Sequence, residues 1–350
     1  MIEADVSTDS GFRVERCTEL SDWDAFVASD PDKTFCHASE WRHVLEGVLG
    51  HECEFLVARS SDGDIRGALP LTWVRAWPLG HYGVSQPFLN YGGPIGSPAA
   101  RRSLVHAAAR EAADRGVDLL ELRSRIDTEC DLELSHRKVA VVLPLPSDSG
   151  TLWSEGLRSK VRSQVRRPQK AGMNATLGID QLSAFYRVFA RNMRDLGTPV
   201  LPLAFFRRIV EVFGDEVEVC VVRHEGVPVA GGVGFVGGGE FEITWASSLR
   251  EYSRDAPNML LYWALMERMI ERQLTAFNFG RTTPESGTHR FKKQWGGEDV
   301  PLPWRQWSPE AIAATPNADR PALRRASAVW SRLPLRLANR LGPILARRLP

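Results

Sequence analysis

A chain of 350 residues, 43% hydrophobic and 25% charged, has enough apolar mass for one very large or two ordinary globular domains. Its net charge of +1 excludes a uniformly polybasic or polyacidic protein but hides an asymmetry: residues 316–350 hold eight arginines and one acid (Asp319), a net +7 that leaves −6 for the remainder. Five scattered cysteines (Cys17, Cys36, Cys53, Cys130, Cys220), with no CxxC and no Cys/His cluster, argue against a zinc site or a disulfide framework and fit a reducing compartment.

The acidic opening MIEADVSTDSGFRVERC lacks the apolar core of a signal peptide, and no run of eighteen apolar residues occurs. A cytoplasmic chain with no spanning segment is expected. The pattern then predicts a helix over Glu40–Leu49 and a hairpin of strands Glu54–Arg59 and Arg66–Val74 around Ser61–Asp64. A helix over Ala100–Arg115 and a buried strand at Asp118–Ser124 close the first half. Between the halves, Leu157, Val161 and Val165 form an apolar stripe at helical spacing with basic residues turned outward, and Pro168 ends or kinks that helix.

The second half repeats the order. A helix over Asp180–Asp195 and another over Leu203–Phe213 precede strands at Glu216–Arg223, Val229–Val236 and Glu240–Ala246. A helix over Asn258–Gln273, with Asn258 as its N-cap, leads to a strand at Ala276–Phe279. Phe55–Arg59 aligns with Val219–Arg223, Arg66–Leu71 with Ala230–Phe235, and Leu119–Arg123 with Ala276–Gly280. An offset of roughly 160 residues is domain-sized, so a duplicated α/β (α+β) unit with mixed sheets is expected. The expected domains are residues 1–150, residues 151–310 with the basic helix at the start, and a basic amphipathic tail over 311–350.

Chemistry concentrates in the second half. The strand ending Phe279-Gly280-Arg281 delivers Arg281, Thr282 and Thr283 to the edge where ligands of α/β sheets sit. The loop that follows, Gly287–Gly297, mixes aromatics, cations and glycines. Phe291 and Trp295 are suited to pack a ligand there, while Lys292 aims a charge at an acyl-transfer oxyanion. Asp195, Asn258 and Gln294 are candidates for positioning. His289 is a candidate base, although a lone histidine in a polar loop is more often solvated. Sequence patterns of Ser/His/Asp elbows, P-loops and H-E-x-x-H metal sites are missing, so no metal is expected.

These segments resemble the FemAB family within the GNAT-like acyltransferases, and more narrowly the FemAB-related proteins of exosortase/PEP-CTERM and exopolysaccharide systems. The resemblance is carried by Lys160-x-Arg162 with Arg166 and Gly172, Met193–Pro199, Ala256-Pro257-Asn258 with Tyr262-Trp263, Phe279-Gly280-Arg281, and Phe291-Lys292-x-Gln294-Trp295-Gly296. It implies two tandem GNAT-like folds and transfer of an aminoacyl or acyl group to an amine on a cell-wall (peptidoglycan) or exopolysaccharide precursor. Lys292 then falls at a catalytic position; Arg281 is assigned beside it for charge stabilisation, and Lys160, Arg162, Arg166, Asp195, Asn258, Phe291, Gln294 and Trp295 are the candidate substrate-binding residues. No tightly bound cofactor is implied. The donor is aminoacyl-tRNA or acyl-CoA, and no DNA partner is expected. The long helical arm of the wall enzymes has no counterpart here, and no Q/R-x-x-G-x-G/A loop follows a suitable strand, because the glycines of Ala230–Gly239 read as strand and turn. A CoA-dependent N-acyltransferase and a non-catalytic glycan- or partner-binding module are the competing readings. The tail reads as two helices, Ala322–Leu333 and Leu335–Leu349. They suit an interfacial helix on the inner face of the membrane, a helix packed on its own domain, or a tRNA contact.

Overall fold

The structure, a computed structural model, describes residues 11–76, 80–135, 137–309 and 321–348. The acidic first ten residues, Asp319 and Arg320 of the basic tail, and Leu349 lie outside them. The chain forms two compact units.

The first unit opens with β1 (Arg13–Arg16), α1 (Leu20–Ser29) and the short α2 (Trp41–Val44), which continues as a π-helical turn, Leu45–Leu49. Strands β2 (Glu52–Arg59) and β3 (Ile65–Ala76) form the expected hairpin, turned by Gly63 at φ +87°. β4 (Gly80–Val84), β5 (Ile95–Gly96), α3 (Pro98–Asp114), β6 (Leu119–Leu122) and β7 (Glu133–Ser135) follow. Ser97 starts α3 by accepting the Ala100 N–H at 3.4 Å, with Pro98 at the first helical position. The helix lays Ala100, Leu104, Ala108 and Ala112 on Leu69, Leu71, Leu120 and Leu122 of the sheet.

The second unit starts with β8 (Val139–Pro144). After α4 (Ser149–Thr151) and a π-helical turn, Leu152–Gly156, come α5 (Ser159–Lys170), β9 (Asn174–Leu177), α6 (Leu182–Asp195) and α7 (Leu203–Phe213). β10 (Val217–His224), β11 (Val227–Gly237) and β12 (Glu240–Ser248) form a meander, and α8 (Pro257–Glu271) crosses to β13 (Ala276–Thr282). Then come α9 (Gly287–Lys293) and β14 (Glu298–Pro301). The sheet order is β14-β8-β13-β12-β11-β10-β9, antiparallel in the register given for its pairs except for β12 beside β13. Leu157, Val161 and Val165 are buried against α8, as the apolar stripe predicts.

The chain then returns to the first unit as β15 (Trp304–Trp307), which inserts between β6 and β7. Gln306 donates to buried Glu121 at 2.8 Å, and Arg305 meets Asp127 at 2.8 Å. The tail helices α10 (Pro321–Trp330) and α11 (Leu335–Ala346) belong to the second unit.

Several expectations are corrected. The division at 150 and 310 differs from the observed one. The second unit begins at Lys138, the segment with β15 belongs to the first unit, and the tail helices are no separate domain. Pro168 lies inside α5, two residues before its end, where the lost bond to Gln164 falls in a last turn already close to fraying. Asn258 is not the N-cap of α8. Ala256 holds that place at φ 53°, and Pro257 takes the first helical position. The repeat is also fuller than expected, because β4 is the first-unit counterpart of β12. In both units the strand after the hairpin pairs in parallel with the strand after the long helix, β4 with β6 and β12 with β13.

Candidate active site

Strands β12 and β13 pair only from Glu240 to Glu242, opposite Ala276–Asn278. Beyond that point each strand departs from regular pairing. In β12 the partner of Val233 is Trp245 and that of Gly234 is Ile243, so Thr244 is an extra residue. Gly234 permits the close approach, since a Cβ there would lie 2.3 Å from the Glu242 carbonyl oxygen. In β13 the register with β8 breaks between Asn278 and Arg281, and Gly280 takes φ +70°. Asn278, fully buried, locks this kink. Its Oδ1 accepts the Gly280 N–H at 2.8 Å, while its Nδ2 donates to Glu240 at 2.9 Å and Glu242 at 3.4 Å.

Lys292 is seated where the two strands part. Its segment was read as a loop but forms α9, capped by Ser286, whose hydroxyl accepts the His289 N–H at 3.1 Å. Helical spacing turns Lys292 inward, and its Nζ donates to the carbonyls of Gly280 at 2.9 Å and Arg281 at 2.8 Å. Only 9% of the residue is exposed. Burial pulls its pKa from 10.5 to about 8. The Glu242 carboxylate opposes that shift and the Arg281 guanidinium adds to it. An ammonium has three donors. Two hold the kinked strand, which leaves one for a ligand oxygen.

The structure thus joins Lys292 to the main chain of Arg281, and sets both beside a polar pair, Glu242 and Asn278, that sequence reasoning missed. A polar Asn278 in the middle of the apolar run AFNF was the available signal. Around this core, other candidates have different duties. Trp295 is fully buried and packs near Tyr262 and Phe279, so it is a core residue and not a ligand platform. Half-buried Phe291 meets Tyr262 edge-on at 5.1 Å. Gln294 reaches the Met259 sulfur at 3.6 Å and ties the end of α9 to the start of α8 beside Asn258.

The remaining candidates lie elsewhere in the second unit. Arg162 donates to the carbonyls of Trp153, Ser154 and Leu157, closing the turn before α5, and Arg166 stacks over the Trp153 ring at 5.1 Å. Lys160 is exposed. Asp195 pairs with Arg194 at 2.7 Å, and Arg194 in turn holds the Leu333 carbonyl of the tail. His289 is committed at both nitrogens: Nδ1 accepts the Glu285 N–H at 3.1 Å and Nε2 meets Asp299 at 3.0 Å. The hydroxyls of Thr282 and Thr283 are likewise engaged, by Thr288 and Lys138. Because neither ring nitrogen of His289 is available as a base, His289→Gln should change kcat by no more than about threefold and stability by about 1 kcal/mol or less. Steady-state kinetics and urea melts check both.

Residues 156–293, from the turn before α5 to the end of α9, match a family model described as Acetyltransf_6, acetyltransferase (GNAT) domain. That stretch, under half of the chain, is similar to a GNAT acetyltransferase domain. Among solved structures, FemX is similar over 84% of this chain and 97% of its own, with a TM-score of 0.62 and 14% identity. The C-terminal domain of a putative lysylphosphatidylglycerol synthetase from Agrobacterium fabrum is similar over 84% and 93%, with a TM-score of 0.56 and 13% identity. L-PGS from Bacillus licheniformis is similar over 90% and 98%, with a TM-score of 0.53 and 14% identity. No curated protein matches. The matched stretch takes in Lys292, Arg281, Asn278 and Glu242, and the first unit repeats its parallel strand pair.

Proposed function

We propose that this protein transfers an aminoacyl or acyl group from an activated donor to an amine on a cell-envelope or exopolysaccharide precursor. The observation that carries the reading is Lys292, a buried cation with one donor left over, pinned at the fork between β12 and β13. In the reaction the amine nitrogen attacks the carbonyl carbon of an ester or thioester. A C–N bond forms, negative charge gathers on the carbonyl oxygen, and the bond to the leaving oxygen or sulfur breaks. The proton lost by the amine goes to that leaving group or to water. Lys292 supplies a donor to the developing oxyanion in a site where water is scarce and such a bond is strong. Glu242 and Asn278 set the position of the kink and so of the lysine.

Two donors are compatible with this chemistry. The start of α8 has no side-chain cap, and a six-residue turn, Arg250–Asp255, leads into it with no glycine. That favours a donor other than CoA, whose pyrophosphate needs a glycine-lined approach to a helix N-terminus. The likeness to a domain of a putative lysylphosphatidylglycerol synthetase, a name that joins an amino acid to a lipid, supports the aminoacyl reading.

Thermal-shift titration tests the donor. A non-hydrolysable aminoacyl-tRNA analogue at a hundred times its Kd should stabilise the protein by about 2.7 kcal/mol, and acyl-CoA should not. The reverse result makes the chain a CoA-dependent N-acyltransferase. No shift with either, together with an unchanged envelope precursor profile by mass spectrometry in a Lys292→Ala strain, makes it a binding module. Among the described residues no helix is long and apolar enough to cross a membrane.

A further inference from the structure

The tail helix α11 has two faces of different chemistry. Ala338, Gly342 and Ala346, at four-residue spacing, are buried. A Cβ at Gly342 would lie 3.0 Å from both the Val200 nitrogen and its Cγ1, so the small residues bring this face close. Arg194, through the Leu333 carbonyl, and Ser327, through the Leu196 carbonyl, fix the rest of the tail to the end of α6.

Among the described residues, an adjoining apolar face of α11 stays partly open. Leu337, Leu341, Ile344 and Leu345 are 42%, 37%, 46% and 42% exposed, and α10 adds Val329 at 64%. These five make up most of the large hydrophobics that the described residues expose. At 100° per residue, Arg336 and Arg340 fall together along one edge of the apolar face. Exposed Arg325 and Arg332 flank Val329 in sequence, and no acid occurs from Pro321 to Pro350.

We propose that the outer face of α11, with Val329 of α10, seats this protein on an anionic lipid bilayer. The aliphatic side chains enter the headgroup boundary while Arg336 and Arg340 meet lipid phosphates. Charge selects this occupant. A second copy would bring arginines against arginines across a two-fold contact. A nucleic acid would satisfy the arginines but leave the outward leucines in water. The inference stands apart from the acyl-transfer reading, since it uses none of the residues around Lys292.

Flotation of the full chain with phosphatidylcholine vesicles, with and without phosphatidylglycerol, tests it. The wild type should float only with the anionic vesicles, and less so as salt rises. Arg336→Gln/Arg340→Gln should lower partitioning about fivefold per arginine. Leu341→Gln/Ile344→Gln should abolish it with an unchanged melting curve, because both side chains are already exposed. Failure of the wild type to float, or equal flotation by the leucine variant, overturns the proposal. So does a solution dimer that the leucine variant dissolves, or saturating tRNA binding that the leucine variant leaves intact.

Discussion

Lys292→Met should lower kcat about 100- to 1,000-fold, the usual loss on deleting one oxyanion donor, and leave the protein folded. Lys292→Arg should not rescue it, because a planar guanidinium cannot place one nitrogen between the Gly280 and Arg281 carbonyls as an ammonium does. The pH dependence follows from a folded pKa of about 8 against an ordinary 10.5. As the lysine is needed charged, kcat should fall as pH rises through about 8 in the wild type. A limb that rises through pH 8 and disappears in the methionine variant would make Lys292 a base instead. Stability runs the other way. Between pH 8 and 10.5 the unfolded chain holds more protons at this site, so wild-type stability should gain on Lys292→Met with increasing pH. The penalty is complete below pH 8, about 3 kcal/mol, and is gone above 10.5. Urea melts at pH 7 and 10 measure the difference. An unchanged gap between the two proteins would mean that the lysine is not desolvated.

Gly280→Val should be the single change at the fork that costs most stability. The residue sits at φ +70°, where a β-branched side chain is strained by about 1–3 kcal/mol. Relief requires β13 to straighten, which withdraws both carbonyls that hold Lys292 and the N–H held by Asn278. A loss of about 3 kcal/mol and of about 100-fold in kcat is expected. Gly280→Asn, which tolerates the left-handed region, should retain most of the stability. If valine and asparagine behave alike, backbone conformation at Gly280 is not what positions the lysine.

Patterns that act locally were legible in the sequence. The β2–β3 hairpin, the stripe Leu157, Val161, Val165 and the long helices α3 and α8 follow from alternation, spacing and flanking Pro and Gly. Lys292 and Arg281 are candidates from residue type and position after a buried strand. Trp295 was misjudged because an aromatic in a glycine-rich segment looks the same whether it faces a ligand or a core. Glu242 and Asn278 were passed over because their role depends on two strands meeting in parallel and then separating, which no local period encodes. β15 was missed for a related reason: its pairing with β6 spans some 185 residues, and four residues carry too little pattern to announce it.

That last strand also sets a timetable. During synthesis, the sheet of the first unit is incomplete until residue 307 has left the ribosome, by which time the long middle segment of the second unit, Lys138–Val300, has been made. Until then β6 presents an open edge, a template for wrong pairing. A fragment ending near residue 150 would keep that edge for good and should aggregate. One that carries residues 301–309 after a short linker should stay in solution. Neither half can be cut out of this gene as a consecutive stretch of codons.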